Sequence, residues 1–264
     1  MLRITPVVKN LLIINVLMFL AAWALPVYNI DLDKYLALYY FQSPNFHPHQ
    51  YITYMFMHAG FMHIFFNMYA LFMFGVMLEQ VWGSKRFLIF YFVTGIGAAL
   101  IHTLVNYLHF TPMIADAHAF ANTPSPELLR TFITEYAPQL SRDYIDAINK
   151  WSEMPTDSHA IDSAIGLVNN IASTTINIPT VGASGAVFGV LLGFGMLFPN
   201  TELMLLFPPI PIKAKYFVMI YGAIELYFAV TQPGSNIAHF AHLGGMIFGF
   251  IMIKMWSKNR DNFY

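Results

Sequence analysis

The 264-residue sequence contains no cysteine. That excludes a disulfide framework, a thiol nucleophile and a thiolate metal site. Charge is scarce as well: 10% of residues are Asp, Glu, Lys or Arg, against about 25% in soluble globular proteins. A net charge of −1 offers no electrostatic footing for nucleic acid, and no nucleic-acid partner is expected. Internal repeats and low-complexity tracts are missing too. The lack of an inverted repeat weighs against a transporter.

Apolar residues take the place of charge, at 57% of the chain. They gather in six runs of helix length: Val8–Val27, Phe56–Leu78, Phe87–Leu108, Val181–Phe198, Pro211–Val230 and Ala238–Trp256. Each is near the ~20 residues that a bilayer requires, so the expected fold is an all-α integral membrane bundle of six transmembrane helices. The first run reads as a retained helix and not as a cleavable signal. Arg3, Lys9, Lys85, Arg86, Lys213, Lys215, Lys254, Lys258 and Arg260 all fall on one side of that topology. The positive-inside rule then puts both termini in the cytoplasm.

Two segments lie outside the runs. Residues 28–55 are rich in aromatics, Pro and His and read as an interfacial loop, or equally as a small plug without chemistry. Residues 109–180 form the one polar block, punctuated by Pro112, Pro124, Pro126, Pro138 and Pro155. Ser125-Pro126-Glu127 is a helix-start signal, and Ser141–Trp151 and Ser158–Ile171 carry helical spacing. The block is expected to be an extracytoplasmic helical insertion whose scattered carboxylates form a solvated face. The expected organisation is therefore 1–108 (three spans and the loop), 109–180 (the insertion) and 181–264 (three spans), one membrane domain overall.

Several polar groups interrupt the apolar runs. Ser184 lies between Gly182 and Gly185 at the head of the fourth run, where Gly185, Gly189 and Gly193 recur every fourth residue. Gly245 and Gly249 repeat that interval in the sixth run. Small residues so spaced let helices approach closely in lipid. Ala238, His242, Gly245 and Gly249 share one helix face, so facing stripes would bring Ser184 and His242 together. The imidazole then takes the hydroxyl proton. His239, one turn away, is the competing base, and a buried imidazole satisfied by a backbone carbonyl is the plainer reading of either. His63 and Asn67, four apart in the second run, can donate to an oxyanion with the Ser184 N–H, or can simply join helices. His58, His63, His239 and His242 also make a zinc-like ligand set, although no carboxylate neighbours them in sequence. Glu79 reads as a structural partner of Lys85 or Arg86. Glu225, inside the fifth run, is a functional candidate by its position, with no partner evident. Gln232–Asn236 reads as a mobile cap beside it.

These residues resemble a rhomboid, the family of intramembrane serine proteases. Gly182-Ala183-Ser184-Gly185 is similar to the family's G-x-S-G motif. Ala241-His242-Leu243-Gly244-Gly245-Met246-Ile247-Phe248-Gly249 is similar to A-H-x-x-G-x-x-x-G. His58, His63 and Asn67 fit H-x-x-x-x-H-x-x-x-N, and Glu79 to Gly83 fits E-x-x-x-G. The resemblance implies a serine endopeptidase with Ser184 and His242 catalytic, His242 and not His239 as base, and Ser184, His63 and Asn67 around the oxyanion. Supporting positions are His58, Gly182, Gly185, Gly245, Gly249, Glu79 and His239. It implies no metal and no cofactor. The expected substrates are single-pass transmembrane proteins cut near the outer membrane face, with membrane lipid the other partner. The expected location is a bacterial plasma (inner) membrane. A proteolytically inactive relative that binds membrane clients is the alternative. Two departures stand out: His49-Gln50 where many members carry Trp-Arg, and residues 109–180 where the family core has a short connection. The insertion is expected to border the active-site mouth.

Overall fold

The computed structural model describes residues 3–204, 209–231 and 236–258, with residues 236–238 and 258 described by backbone alone. The elements run α1 (Pro6–Ala24), α2 (Leu32–Leu36), α3 (Gln50–Thr53), α4 (Phe61–Ala70), α5 (Val76–Trp82), α6 (Ser84–Asn122), α7 (Pro126–Tyr136), α8 (Ser141–Glu153), α9 (Ser158–Ile176), α10 (Ser184–Leu197), β1 (Glu202–Met204), β2 (Pro211–Lys213), α11 (Ala214–Thr231) and α12 (Asn236–Lys258). A π-helical turn, Leu71–Gly75, joins α4 to α5. The chain divides into one unit of residues 1–41, 45–105 and 179–264 and another of 42–44 and 106–178.

Among the described residues the fold is all-α apart from two short antiparallel strands. Among the described residues, five helical stretches are long and apolar enough to cross a membrane: Pro6–Tyr28, Phe61–Trp82, Ser84–Asn122, Ala214–Thr231 and His239–Ser257. The outward side chains suit lipid. Trp23, Leu17 and Leu20 on α1 and Met219, Leu226 and Tyr227 on α11 are all more than half exposed. The fourth expected span is shorter than anticipated, a helix of 14 residues from Ser184 to Leu197. Gly182 turns the chain at φ +129°, a region that L side chains avoid. Residues before it run extended, with Thr180 bridged to Leu38 and the Gly182 N–H donating to the Tyr54 carbonyl at 3.0 Å.

Other boundaries also shift. The chain is extended at Met57 and Gly60, so α4 begins at Phe61 and His58 precedes it. The fifth expected span starts at Ala214, because Pro211–Lys213 is a strand paired with Glu202–Met204. Pro211 disfavours helical geometry at Ile210. Helix α6, which holds the third expected span, runs 39 residues, straight through Pro112; the i−4 bond lost at one proline does not end it.

Glu79 has a different partner from either basic residue. One carboxylate oxygen accepts from the Val7 N–H at 3.0 Å and from Ser84 Oγ at 2.6 Å, and the other from the Val8 N–H at 2.9 Å. Val7 and Val8 lie in the first turn of α1, whose N–H groups have no partner within the helix. The negative charge also suits the positive end of the helix. Glu79 thus ties the start of α1 to α5.

Residues 28–41 and 45–55 are an ordered part of their unit. Gln50 is fully buried. Its Oε1 accepts from the Tyr39 and His47 N–H groups at 3.3 and 3.1 Å, and its Nε2 donates to the carbonyls of Asn45 and Tyr35 at 2.8 and 3.4 Å. His49 Nε2 lies 2.8 Å from the same Tyr35 carbonyl. The pair that departs from Trp-Arg is thus the pair that fastens this loop.

The unit of residues 42–44 and 106–178 contains α7, α8 and α9 and the end of α6. Helix α7 begins at Pro126 with the Ser125 hydroxyl capping the Leu128 N–H. Asp157 caps α9 through the His159 N–H, and α9 continues to Ile176, five residues beyond its expected end. Phe132, Ile133, Ile148, Trp151, Val168 and Ile171 are buried among these helices.

Candidate active site

The glycine stripes of α10 and α12 face each other in register. A Cβ added at Gly245 would overlap the carbonyl of Gly185, and one at Gly249 would lie 3.4 Å from the Gly189 Cα. Bare backbone therefore meets bare backbone, and the approach sets the distance between side chains at the heads of the two helices. Ser184 Oγ lies 2.9 Å from His242 Nε2. His239 points elsewhere: its Nδ1 sits 2.6 Å from Glu225 Oε2.

Ser184 occupies the first turn of α10, where backbone N–H groups lack intrahelical acceptors. Its own N–H is one of these and points toward the helix start. The lead-in strand is pinned by the Leu38–Thr180 bridge, by Tyr54 and by the 2.7 Å contact of Thr180 Oγ1 with His102 Nε2. The turn that presents Ser184 is thus held from three directions.

His63 reaches the same place from α4. A Cβ built on Gly182 would lie 2.8 Å from both His63 Cε1 and Nε2 and 3.6 Å from Ser184 Oγ. Glycine at 182 therefore keeps open the space between the His63 ring and the serine. Asn67 is buried, and its Nδ2 donates to the His63 carbonyl at 2.9 Å. That bond ties the amide to the turn carrying His63. His58 is buried beside them, its ring 5.1 Å from that of His63.

Two features of the site were not read from the sequence. Phe188, one turn after Ser184, stacks on His242 at 4.2 Å and 5°. Its i+4 spacing from the serine was the available signal. The partners of Glu225 are His239 and His242; its Oε2 also lies 3.1 Å from His242 Nδ1. The rival zinc-like set of four histidines does not assemble. Among the described residues the grouped ligand atoms belong to Glu225, His239 and His242. The carboxylate arrives from α11, a different helix from the two histidines. Gln232–Ser235, read as part of a cap, lie outside the described residues.

The profile of the Rhomboid domain matches residues 45–113 and 160–259, well over half of the chain. The chain belongs to the rhomboid family. Rhomboid protein 1, mitochondrial, of Saccharomyces cerevisiae is 34% identical over 95 residues, covering 34% of this chain. The match spans 27% of that relative's length. With its apolar helices, this rhomboid is an integral, multi-pass membrane protein.

Proposed function

We propose that this rhomboid is an intramembrane serine endopeptidase working through Ser184 and His242. The carrying observation is the 2.9 Å approach of His242 Nε2 to Ser184 Oγ at the first turn of α10. His242 removes the hydroxyl proton as Oγ attacks the scissile carbonyl. The carbonyl oxygen becomes an oxyanion facing the Ser184 N–H and the His63 ring, with Asn67 holding the His63 turn or donating through its second N–H. The C–N bond then breaks, and the proton on His242 passes to the leaving amine. Water, deprotonated by His242, attacks the acyl-enzyme and releases the carboxylate product and the serine. No step requires a metal or cofactor.

The substrates proposed are single-pass transmembrane helices, unwound near the outer face of a bacterial-type plasma membrane, with both termini of the enzyme cytoplasmic. The test is cleavage of a generic transmembrane substrate by purified protein in detergent. Wild type and His239→Ala, the latter slower, should cut, whereas Ser184→Ala and His242→Ala should not. Cleavage by Ser184→Ala would overturn the assignment. Labelling by a fluorophosphonate reports the same serine without requiring the natural substrate.

A further inference from the structure

Glu225 is an ionisable group inside an apolar helix, and such a group is costly in a bilayer unless it is paired. Its side chain is only 12% exposed. Oε2 is shared between two imidazoles, with His239 Nδ1 at 2.6 Å and His242 Nδ1 at 3.1 Å. The first distance is that of a strong hydrogen bond. The second is a close contact off the line of the ring N–H, and His242 Nδ1 is buried with no other partner.

The tautomers follow from this arrangement. An ionised carboxylate accepts and cannot donate. The hydrogen of the 2.6 Å contact therefore sits on His239 Nδ1, and the carboxylate beside His242 Nδ1 favours the tautomer that has its hydrogen there and its lone pair on Nε2. For His242 that lone pair faces Ser184 Oγ at 2.9 Å, the state a general base requires. Phe188 from α10 stacks on the ring and fixes its plane. His239 meets the same carboxylate oxygen and rests on Phe228 at 5.5 Å. The charged or titratable groups facing His242 are thus Glu225 from α11 and His239 from its own helix. His63 from α4 lies across Gly182 and Ser184.

We infer that Glu225 is a positioning residue, making the site a Ser184–His242–Glu225 triad with His239 as the second support of the carboxylate. This rests on the proteolytic reading above. It goes beyond a dyad because the imidazole is oriented by a charge and not by packing alone. The carboxylate also stabilises His242 once it has taken the serine proton. The ligand atoms of Glu225, His239 and His242 also lie close enough together to hold a cation, so the test includes a chelator arm.

The experiment measures labelling of full-length protein in detergent by a fluorophosphonate. Ser184 Oγ bonds to phosphorus, the P–F bond breaks, and the hydroxyl proton passes through His242 to leave with fluoride. The time course gives a maximal rate constant and a half-saturating probe concentration separately. A partly folded preparation lowers the amplitude and leaves the rate constant intact. Glu225→Gln should lower the maximal rate constant by at least tenfold, toward the ~10⁴-fold seen when a triad carboxylate is neutralised. The half-saturating concentration should be unchanged. Glu225→Asp should recover part of the rate constant. Glu225→Leu, which needs no polar partner in lipid, should match Glu225→Gln and serves if the glutamine variant does not fold. A wild-type rate constant in either the Gln or the Leu variant overturns the triad and leaves the Ser–His reading standing. A wild-type rate that EDTA reduces to the Glu225→Gln value also overturns it, by showing a metal-held cluster. Absence of Ser184-dependent labelling in wild type overturns both readings.

Discussion

Replacing Gly182 with alanine adds one methyl group at the narrowest point of the candidate site. That methyl would lie 2.8 Å from His63 Cε1 and Nε2 and 3.6 Å from Ser184 Oγ, on a residue whose φ is +129°. Carbon contacts are comfortable near 3.5–4.0 Å, so the His63 ring must retreat by roughly 0.7 Å or more. A donor displaced that far no longer meets the oxyanion, and losing one such donor costs about 2.7–4 kcal/mol, or 10²–10³ in rate. The backbone adds strain of order 1–3 kcal/mol, which falls on stability and not on the chemical step. The assay is cleavage of a transmembrane substrate at saturating concentration, with thermal unfolding followed in parallel. Gly182→Ala is expected to lose about 10²–10³ in turnover, and Gly182→Ala combined with His63→Ala should be no slower than His63→Ala alone. The coupling arises because both changes remove one interaction. Wild-type turnover in Gly182→Ala, or multiplicative losses in the double variant, would refute the reasoning.

The helix contact supplies a second expectation. Gly245→Ala drives a methyl into the Gly185 carbonyl, whereas Gly249→Ala meets Phe90 at 3.2 Å and Gly189 at 3.4 Å; the first should lower thermal stability in detergent by about 1–3 kcal/mol and the second by clearly less. Glu79→Ala leaves the Val7 and Val8 N–H groups without their acceptor, a loss of ~1–3 kcal/mol that should appear in unfolding midpoints while the fluorophosphonate rate constant at low temperature stays unchanged. Gln50→Leu removes both donor and acceptor functions from the loop of residues 28–55. Limited proteolysis should then cut that loop faster than in wild type, and an unchanged cutting rate would show that Gln50 does not fasten it.

What could be read from the sequence depended on how local the cause was. The stripes at Gly185, Gly189, Gly245 and Gly249 carry their helix faces in their own spacing, so the opposition of α10 and α12 was legible together with the residues at their heads. Hydropathy located the apolar helices but not their ends. The start of α10 depends on the φ of Gly182, and the start of α11 on pairing between β1 and β2. Pro112 suggested a break that the surrounding helix overrides. Contacts between helices were the least legible. Glu225 is 14 residues from His239 and 17 from His242, on a helix whose rotation is fixed only by packing. Gln50 looked like the loss of an arginine, because its four partners are backbone groups that no side-chain pattern reveals.

Helix α10 has consequences beyond the chemistry. Fourteen residues rise only about 21 Å at 1.5 Å each, against a hydrocarbon core of about 30 Å. A helix of that length that ends near one face begins roughly 9 Å short of the other. Its first N–H groups then lie within the membrane, where lipid offers them no acceptor. Such an end persists only where protein or water surrounds it, so the shortness of α10 calls for one or the other above Ser184. Water in that place would also stand where the proposed hydrolysis draws on it. Lengthening α10 by a turn at its head would bury those N–H groups in helix and displace whatever now meets them.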